Sequence, residues 1–183
     1  MTARLIYVLL MGLVGAAIVH IAVLILVPSQ SRSDVWSRLE RADADYRFQR
    51  VGAGAGHPDA ALVKTPDPLM AVSICRFDLD AGPVHIISSQ RVPFWSLSIT
   101  NRRGQIVYSF NDRNAADGVL DLVVATPLQL VELKKELPVE LEASILVEAD
   151  LATGMAILRG FLPDTSWQPQ LNGFLEGARC SAF

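Results

Sequence analysis

The stretch Cys75–Arg113, CRFDLDAGPVHIISSQRVPFWSLSITNRRGQIVYSFNDR, decides the fold. Its apolar residues alternate, and turn formers break it at short intervals. In Phe94 to Thr100, Trp95, Leu97 and Ile99 share one face and Ser96, Ser98 and Thr100 take the other. That period of two marks a half-buried antiparallel strand. Asn101-Arg102-Arg103-Gly104 fits a tight hairpin with glycine where a positive φ is needed, and Ile106, Tyr108 and Phe110 continue the alternation on the return strand. Upstream, Ala71 to Leu79 sets Cys75, Phe77 and Leu79 on one face, Asp80-Ala81-Gly82-Pro83 supplies a turn, and Val84 to Ser88 is a short strand. These strands lie too close together in sequence for helical crossovers, which disfavours a parallel α/β sheet.

Towards the C-terminus the pattern continues. Val119 to Ala125 reads as a strand, and Thr126-Pro127-Leu128-Gln129 is a capping box with proline at the first helical position. The helix it opens turns Leu130, Leu133 and Leu137 inward, and Pro138 closes it. Ser144–Asp150 and Met155–Leu162 are expected to form a hairpin turning at Leu151–Gly154. Ser166–Arg179 is expected to be helical, with an apolar stripe of Leu171, Phe174, Leu175 and Ala178. Roughly seven strands and two short helices predict a mainly β (α+β) domain over residues 69–183, an antiparallel sandwich or open barrel.

Towards the N-terminus the chemistry changes. The chain has 183 residues, 51% of them hydrophobic, and most of that excess lies in its first 27. Leu5 to Val27, LIYVLLMGLVGAAIVHIAVLILV, carries no formal charge. As a helix it would span roughly 34 Å at 1.5 Å per residue, enough for a hydrocarbon core of about 30 Å. The run is longer than a signal-peptide core and ends without a small-x-small cleavage site, so a retained transmembrane anchor over residues 1–28 is preferred to a cleaved signal. Gly12, Ala16 and His20 recur every four residues and share a helix face, a candidate for helix contact in lipid. Residues 29–68 divide into a juxtamembrane helix, Ser31–Arg50, and a Gly/Ala/Pro-rich linker, Gly52–Pro68.

Charge and cysteine content limit the function. Beyond Val27 the chain holds 15 basic against 19 acidic residues, a net −4. A mildly acidic domain without a basic face does not suit nucleic acid, where affinity comes from neutralising phosphates. Cys75 and Cys180 are the two cysteines, in no CxxC motif. Two readings stand for them: a bond closing a long loop and tying the C-terminus to the sheet, or two reduced buried thiols. Neither His57 nor any Cys, His or carboxylate group has metal-ligand spacing, so no metal and no cofactor is expected. No nucleophile elbow, phosphate loop or HExxH pattern occurs.

The densest polar group is Asn111-Asp112-Arg113, a candidate for ligand binding in which Asp112 orients Arg113 towards a carboxylate or phosphate. Its bland counterpart is a loop held by Asn and Asp side chains. Arg102 and Arg103 lie at the far end of the return strand, roughly 20 Å away at 3.4 Å per residue, so all three arginines cannot share one anion.

Asp78-Leu79, Gly82-Pro83-Val84, the Phe94-Trp95-Ser96-Leu97 strand with its hairpin, and Arg113 resemble a bacterial family known as domain of unknown function 1254. The likeness covers about residues 69–128, and the whole layout resembles its small membrane-anchored members from alphaproteobacteria, which lack the second, jelly-roll-like domain. The resemblance implies a β fold and an envelope location, and no established activity. Basic residues flanking the anchor favour a cytoplasmic C-terminal domain, but long domains cross regardless of charge. With the cysteines and the resemblance, the expectation is a C-terminal domain in the periplasm, on a single-pass protein of the bacterial inner membrane. The expected partners are the lipid bilayer through residues 5–27 and a membrane or envelope protein. The leading expectation is a non-catalytic module that binds a partner protein or small ligand. The alternatives are a hydrolase-like enzyme using Asp112, Arg113 and His85, or an accessory subunit of a membrane complex.

Overall fold

The computed structural model describes residues 2–41, 44–51 and 67–183. They fall into two compact units, Met1–Ser37 and Arg38–Phe183.

The first unit is the body of one helix, α1 (Thr2–Arg41). Its segment Thr2–Val27 is long and apolar enough to cross a membrane, and the chain itself buries none of it. The sequence suggests a break after the anchor, yet α1 runs through Pro28 without interruption. A proline inside a helix removes one backbone donor, and Pro28 does so just past the end of the apolar segment. The juxtamembrane helix expected to reach Arg50 stops at Arg41. Instead, Gln49–Val51 forms a strand, β1, against residues 72–74. The β unit therefore takes in residues before the expected boundary at 69, because the next strand offers an unpaired edge that outweighs local helical spacing. Residues 52–66 of the expected linker lie outside the described residues.

The second unit is built from two sheets. Besides β1, the strands are β2 (Met70–Asp78), β3 (Val84–Ser88), β4 (Trp95–Asn101), β5 (Ile106–Asn111), β6 (Leu120–Ala125), β7 (Ile145–Glu148), β8 (Thr153–Phe161) and β9 (Arg179–Ala182). The first sheet has the order β1-β2-β8-β4-β5 and is antiparallel throughout; the second has the order β7-β6-β3-β9. Only β6 and β7 pair in parallel among the described strands, joined by the crossover that such pairing needs. That crossover contains α2 (Pro127–Leu133), which opens on the expected Thr126/Gln129 capping box and packs against β6 and β7.

The predicted class thus stands: an apolar N-terminal helix, then mostly antiparallel sheets with short helices. Two details differ. β7 and β8 do not form a hairpin, since β7 joins β6 in the second sheet and β8 becomes the middle strand of the first. The C-terminal helix, α3 (Gln168–Glu176), ends early and gives way to β9, which pairs with β3. Cys180 therefore sits in a strand opposite Ile86, not at a helix end.

The inner faces share one core. Cys75, Phe77, Trp95, Leu97, Ile99, Phe110, Ala156 and Leu158 come from the first sheet, and Val84, Ile86, Leu120, Leu122, Val124 and Cys180 from the second. Trp95 packs edge-on to Phe110 at 5.4 Å and lies 6.0 Å from Phe174 of α3. Its indole Nε1 donates to the Gly118 carbonyl at 3.1 Å, which satisfies the ring's one polar group. Cys75 and Cys180 form a disulfide, with Cα atoms 6.6 Å apart, that links β2 of one sheet to β9 of the other.

Two inner positions of β8 are glycine for lack of room. A Cβ on Gly154 would lie 2.7 Å from the Phe77 ring and 2.9 Å from the Thr100 carbonyl oxygen; one on Gly160 would overlap the Leu171 side chain. Leu171 can change rotamer, whereas the Thr100 backbone cannot move without breaking strand pairing. Gly154→Ala is thus expected to lower unfolding stability by about 1–3 kcal/mol and Gly160→Ala by less, measured by urea denaturation. The disulfide closes a loop with a sequence separation of 105. Its removal by Cys75→Ala with Cys180→Ala is expected to cost about 2–5 kcal/mol in the same assay.

Candidate functional site

Asn111, Asp112 and Arg113 lie where β5 ends. The Asn111 side-chain oxygen accepts from the backbone N–H of Arg113 at 3.0 Å and of Asn114 at 3.2 Å. Asp112 does not orient Arg113: its Oδ2 accepts from the Phe94 backbone N–H at 2.9 Å. Phe94 has a φ of +59°, unusual for a bulky residue, and this bond steadies the turn into β4. Asn and Asp here hold the loop, as the bland reading of turn-forming side chains expects. Arg113 remains exposed. Arg102 and Arg103 are at the opposite end of β5, in a turn where the Asn101 side-chain oxygen accepts from Arg103 N and Gln105 N.

His85 belongs to a different cluster. It sits on β3 in the second sheet, pointing away from the core between buried Val84 and Ile86. Its Nε2 is 2.9 Å from Asp121 Oδ1 on β6, and Ser144 Oγ donates to that same oxygen at 2.5 Å. An ionised carboxylate can only accept, which puts the imidazole proton on Nε2. These residue types are those of a catalytic triad, but the order is not. A triad places histidine between serine and acid so that it can take the serine proton; here the acid stands between the other two. With 16% and 20% of their side chains exposed, His85 and Asp121 make a half-buried tie across β3, β6 and the start of β7. Asp112 and His85 lie on different sheets with separate partners, so the structure does not bring together the set Asp112, Arg113 and His85.

Sequence reading passed over Asp121 and Ser144. The signal that could have found Asp121 is a lone carboxylate within the apolar run Leu120–Ala125, where an unpaired charge would be costly. Among the described residues no group of three or more His, Cys, Asp or Glu side chains is arranged to hold a metal ion. In α1, Gly12, Ala16 and His20 occupy the expected spacing of four on an exposed helix.

No protein-family model matches the chain, and no curated protein matches it. Among solved structures, the VPA0106 protein of Vibrio parahaemolyticus is similar at a TM-score of 0.50, with 14% identity, over 65% of this chain and 29% of its own. An uncharacterized protein from Burkholderia cenocepacia is similar at a TM-score of 0.49, with 16% identity, over 80% of this chain and 37% of its own. At such identity the first likeness shows the fold alone, and this chain spans well under half the length of either protein.

Because Asp121 serves two partners at once, its loss strands both. Asp121→Ala is expected to destabilise the fold by about 1–3 kcal/mol, and Ser144→Ala by less, since His85 keeps its carboxylate. Equilibrium denaturation of the two variants checks the order.

Proposed function

We propose that this chain is a single-pass membrane protein of the bacterial envelope whose helix holds a disulfide-tied β sandwich on the periplasmic side. There the sandwich binds a partner protein or a small ligand and carries out no reaction. Two observations support this most: the Cys75–Cys180 bond, and an N-terminal helix long and apolar enough to cross a bilayer. Disulfides persist in oxidising compartments and are scarce in the cytosol.

The likeness to domain of unknown function 1254 is part of the proposal. Its D-L-x-x-G-P-V residues have a coherent structural role in this chain. They make the turn that carries the backbone from the first sheet to the second. Asp78 accepts from Asp80 N at 2.9 Å, Leu79 N donates to Ala152 O at 2.7 Å, and Gly82 takes a φ of +141° that suits glycine. The polar clusters support binding over catalysis. Asp112 and the Asn111 oxygen are committed to loop N–H groups and Asp121 to His85 and Ser144, so among the described residues these clusters set no activated base beside a nucleophile. A role as an accessory subunit, gripping a larger membrane complex through Gly12, Ala16 and His20, is a variant of the same reading in which the helix supplies the contact.

C-terminal fusions to alkaline phosphatase and to a fluorescent protein that matures only in the cytoplasm test the placement. An active phosphatase and a dark fluorescent fusion are expected, with the chain retained in membranes after carbonate extraction and Cys75 and Cys180 unreactive to alkylation before reduction. A bright fluorescent fusion, or a chain released by carbonate, overturns the reading.

A further inference from the structure

On the outer face of the first sheet, opposite the core, one cation is held without an acid. Arg159 is in β8, the middle strand, between the inward-facing Leu158 and Gly160. Its neighbours across the strands are Val72 on β2 and Ser96 on β4, both uncharged. Among the described residues its guanidinium makes one hydrogen bond, from Nη1 to Ser98 Oγ at 3.1 Å. Among the described residues no carboxylate pairs with it, and burial lowers its pKa with no opposing charge to restore it. A guanidinium brings five N–H donors in a planar fork, and a neutral hydroxyl uses one of them.

The surroundings have two sides. Ser96 stands opposite Asn111 of β5, so Arg159, Ser96 and Asn111 make one row across three adjacent strands. Asn111 gives its side-chain oxygen to the loop, which leaves its NH2 group as a donor in that row. On the other side lie Val72 and, two residues along β8, Phe161. The Phe161 ring meets the exposed Phe94 ring edge-to-face at 6.1 Å. All members of the row keep part of their surface open to solvent, so a ligand can reach them.

We propose that this shelf binds an amphiphilic anion: a phosphate or carboxylate head held by Arg159, with Ser96 and Asn111 donating beside it, and an alkyl or aromatic body lying on Val72, Phe161 and Phe94. The donors fit an oxygen-rich head because they offer N–H and O–H groups and no competing negative charge. The apolar side fits a chain because such a site keeps most of its area hydrophobic, with few polar groups to fix orientation. This deepens the proposed small-ligand role and rests on it, although it depends neither on which side of the membrane the sandwich occupies nor on the bilayer itself.

The test uses the full chain in phosphatidylcholine nanodiscs, with empty nanodiscs as the blank. Hexyl phosphate is titrated by calorimetry, beside inorganic phosphate and hexanol as the two half-ligands. Saturable binding of hexyl phosphate is expected, at least about tenfold tighter than either half. Arg159→Gln should weaken it about tenfold or more, and Arg159→Lys, which keeps the charge but loses the fork, by less. Circular dichroism and non-reducing gel mobility confirm that both variants are folded and bonded. Absence of saturable binding at millimolar hexyl phosphate overturns the proposal. So does equal affinity in Arg159→Gln, or inorganic phosphate binding as tightly as hexyl phosphate, which would mean an anion site without an apolar floor. The fusion results stand or fall separately from these titrations.

Discussion

The bond between Cys75 and Cys180 is the constraint on which the second unit turns, because it fastens together strands from facing sheets. β9 has four residues, of which Cys180 is buried while Arg179, Ser181 and Ala182 are exposed. A strand that short, with one side chain in the core, has little apolar area with which to hold itself in register. The covalent link supplies what packing does not. Once β9 is held, β3 has neighbours on both edges, and the helix before it is drawn over the core. Leu171, Phe174 and Leu175 of α3 are then buried, and Phe174 meets Trp95.

The same geometry sorts side chains by face. Inner positions go to one shared core, and outer positions diverge between the two sheets. On the second sheet, Val123 and Ala125 point away from that core and are nevertheless fully buried. The crossover between β6 and β7 accounts for this, since α2 packs against both strands and contributes Leu130. Beside this cover His85, Asp121 and Ser144 satisfy one another. On the first sheet, Ile74, Met155, Ser98 and Thr100 are buried outside the main core, whereas Val72, Ser96, Asn111 and Arg159 stay half open.

How much of this was legible depends on whether a residue's fate is local. The strand from Trp95, the Gly104 turn with its φ of +77° and the Thr126–Gln129 cap are set by neighbours in sequence, and all three are present. The apolar stripe of α3 is likewise readable from spacing alone. Strand partners were not, because pairing is decided at long range. Ser144–Asp150 and Met155–Leu162 look like a hairpin until the parallel edge of β6 takes the first segment. Arg179–Ala182 and Gln49–Val51 lack any alternation that would mark a strand and are ordered by the edges they meet. At the candidate site, Asn111 to Arg113 could be seen as a dense polar group, but the commitment of Asp112 to Phe94 required a turn eighteen residues away.

That lesson bears on which polar groups are free to act. A buried or half-buried polar atom whose valences are filled by the protein is already explained by the fold, since leaving it unpaired would cost more than pairing returns. Asp121 is of this kind: it accepts from His85 and Ser144, and strands β3, β6 and β7 are tied as a result. Asp112 and the Asn111 oxygen are too. Arg159 is not, for among the described residues its guanidinium meets a single hydroxyl, and its partial burial works against its charge. An anionic ligand would supply the opposing charge and engage the remaining N–H donors. For that reason the outer face of the first sheet, and not the more enzyme-like cluster on the second, is where a binding function is best sought.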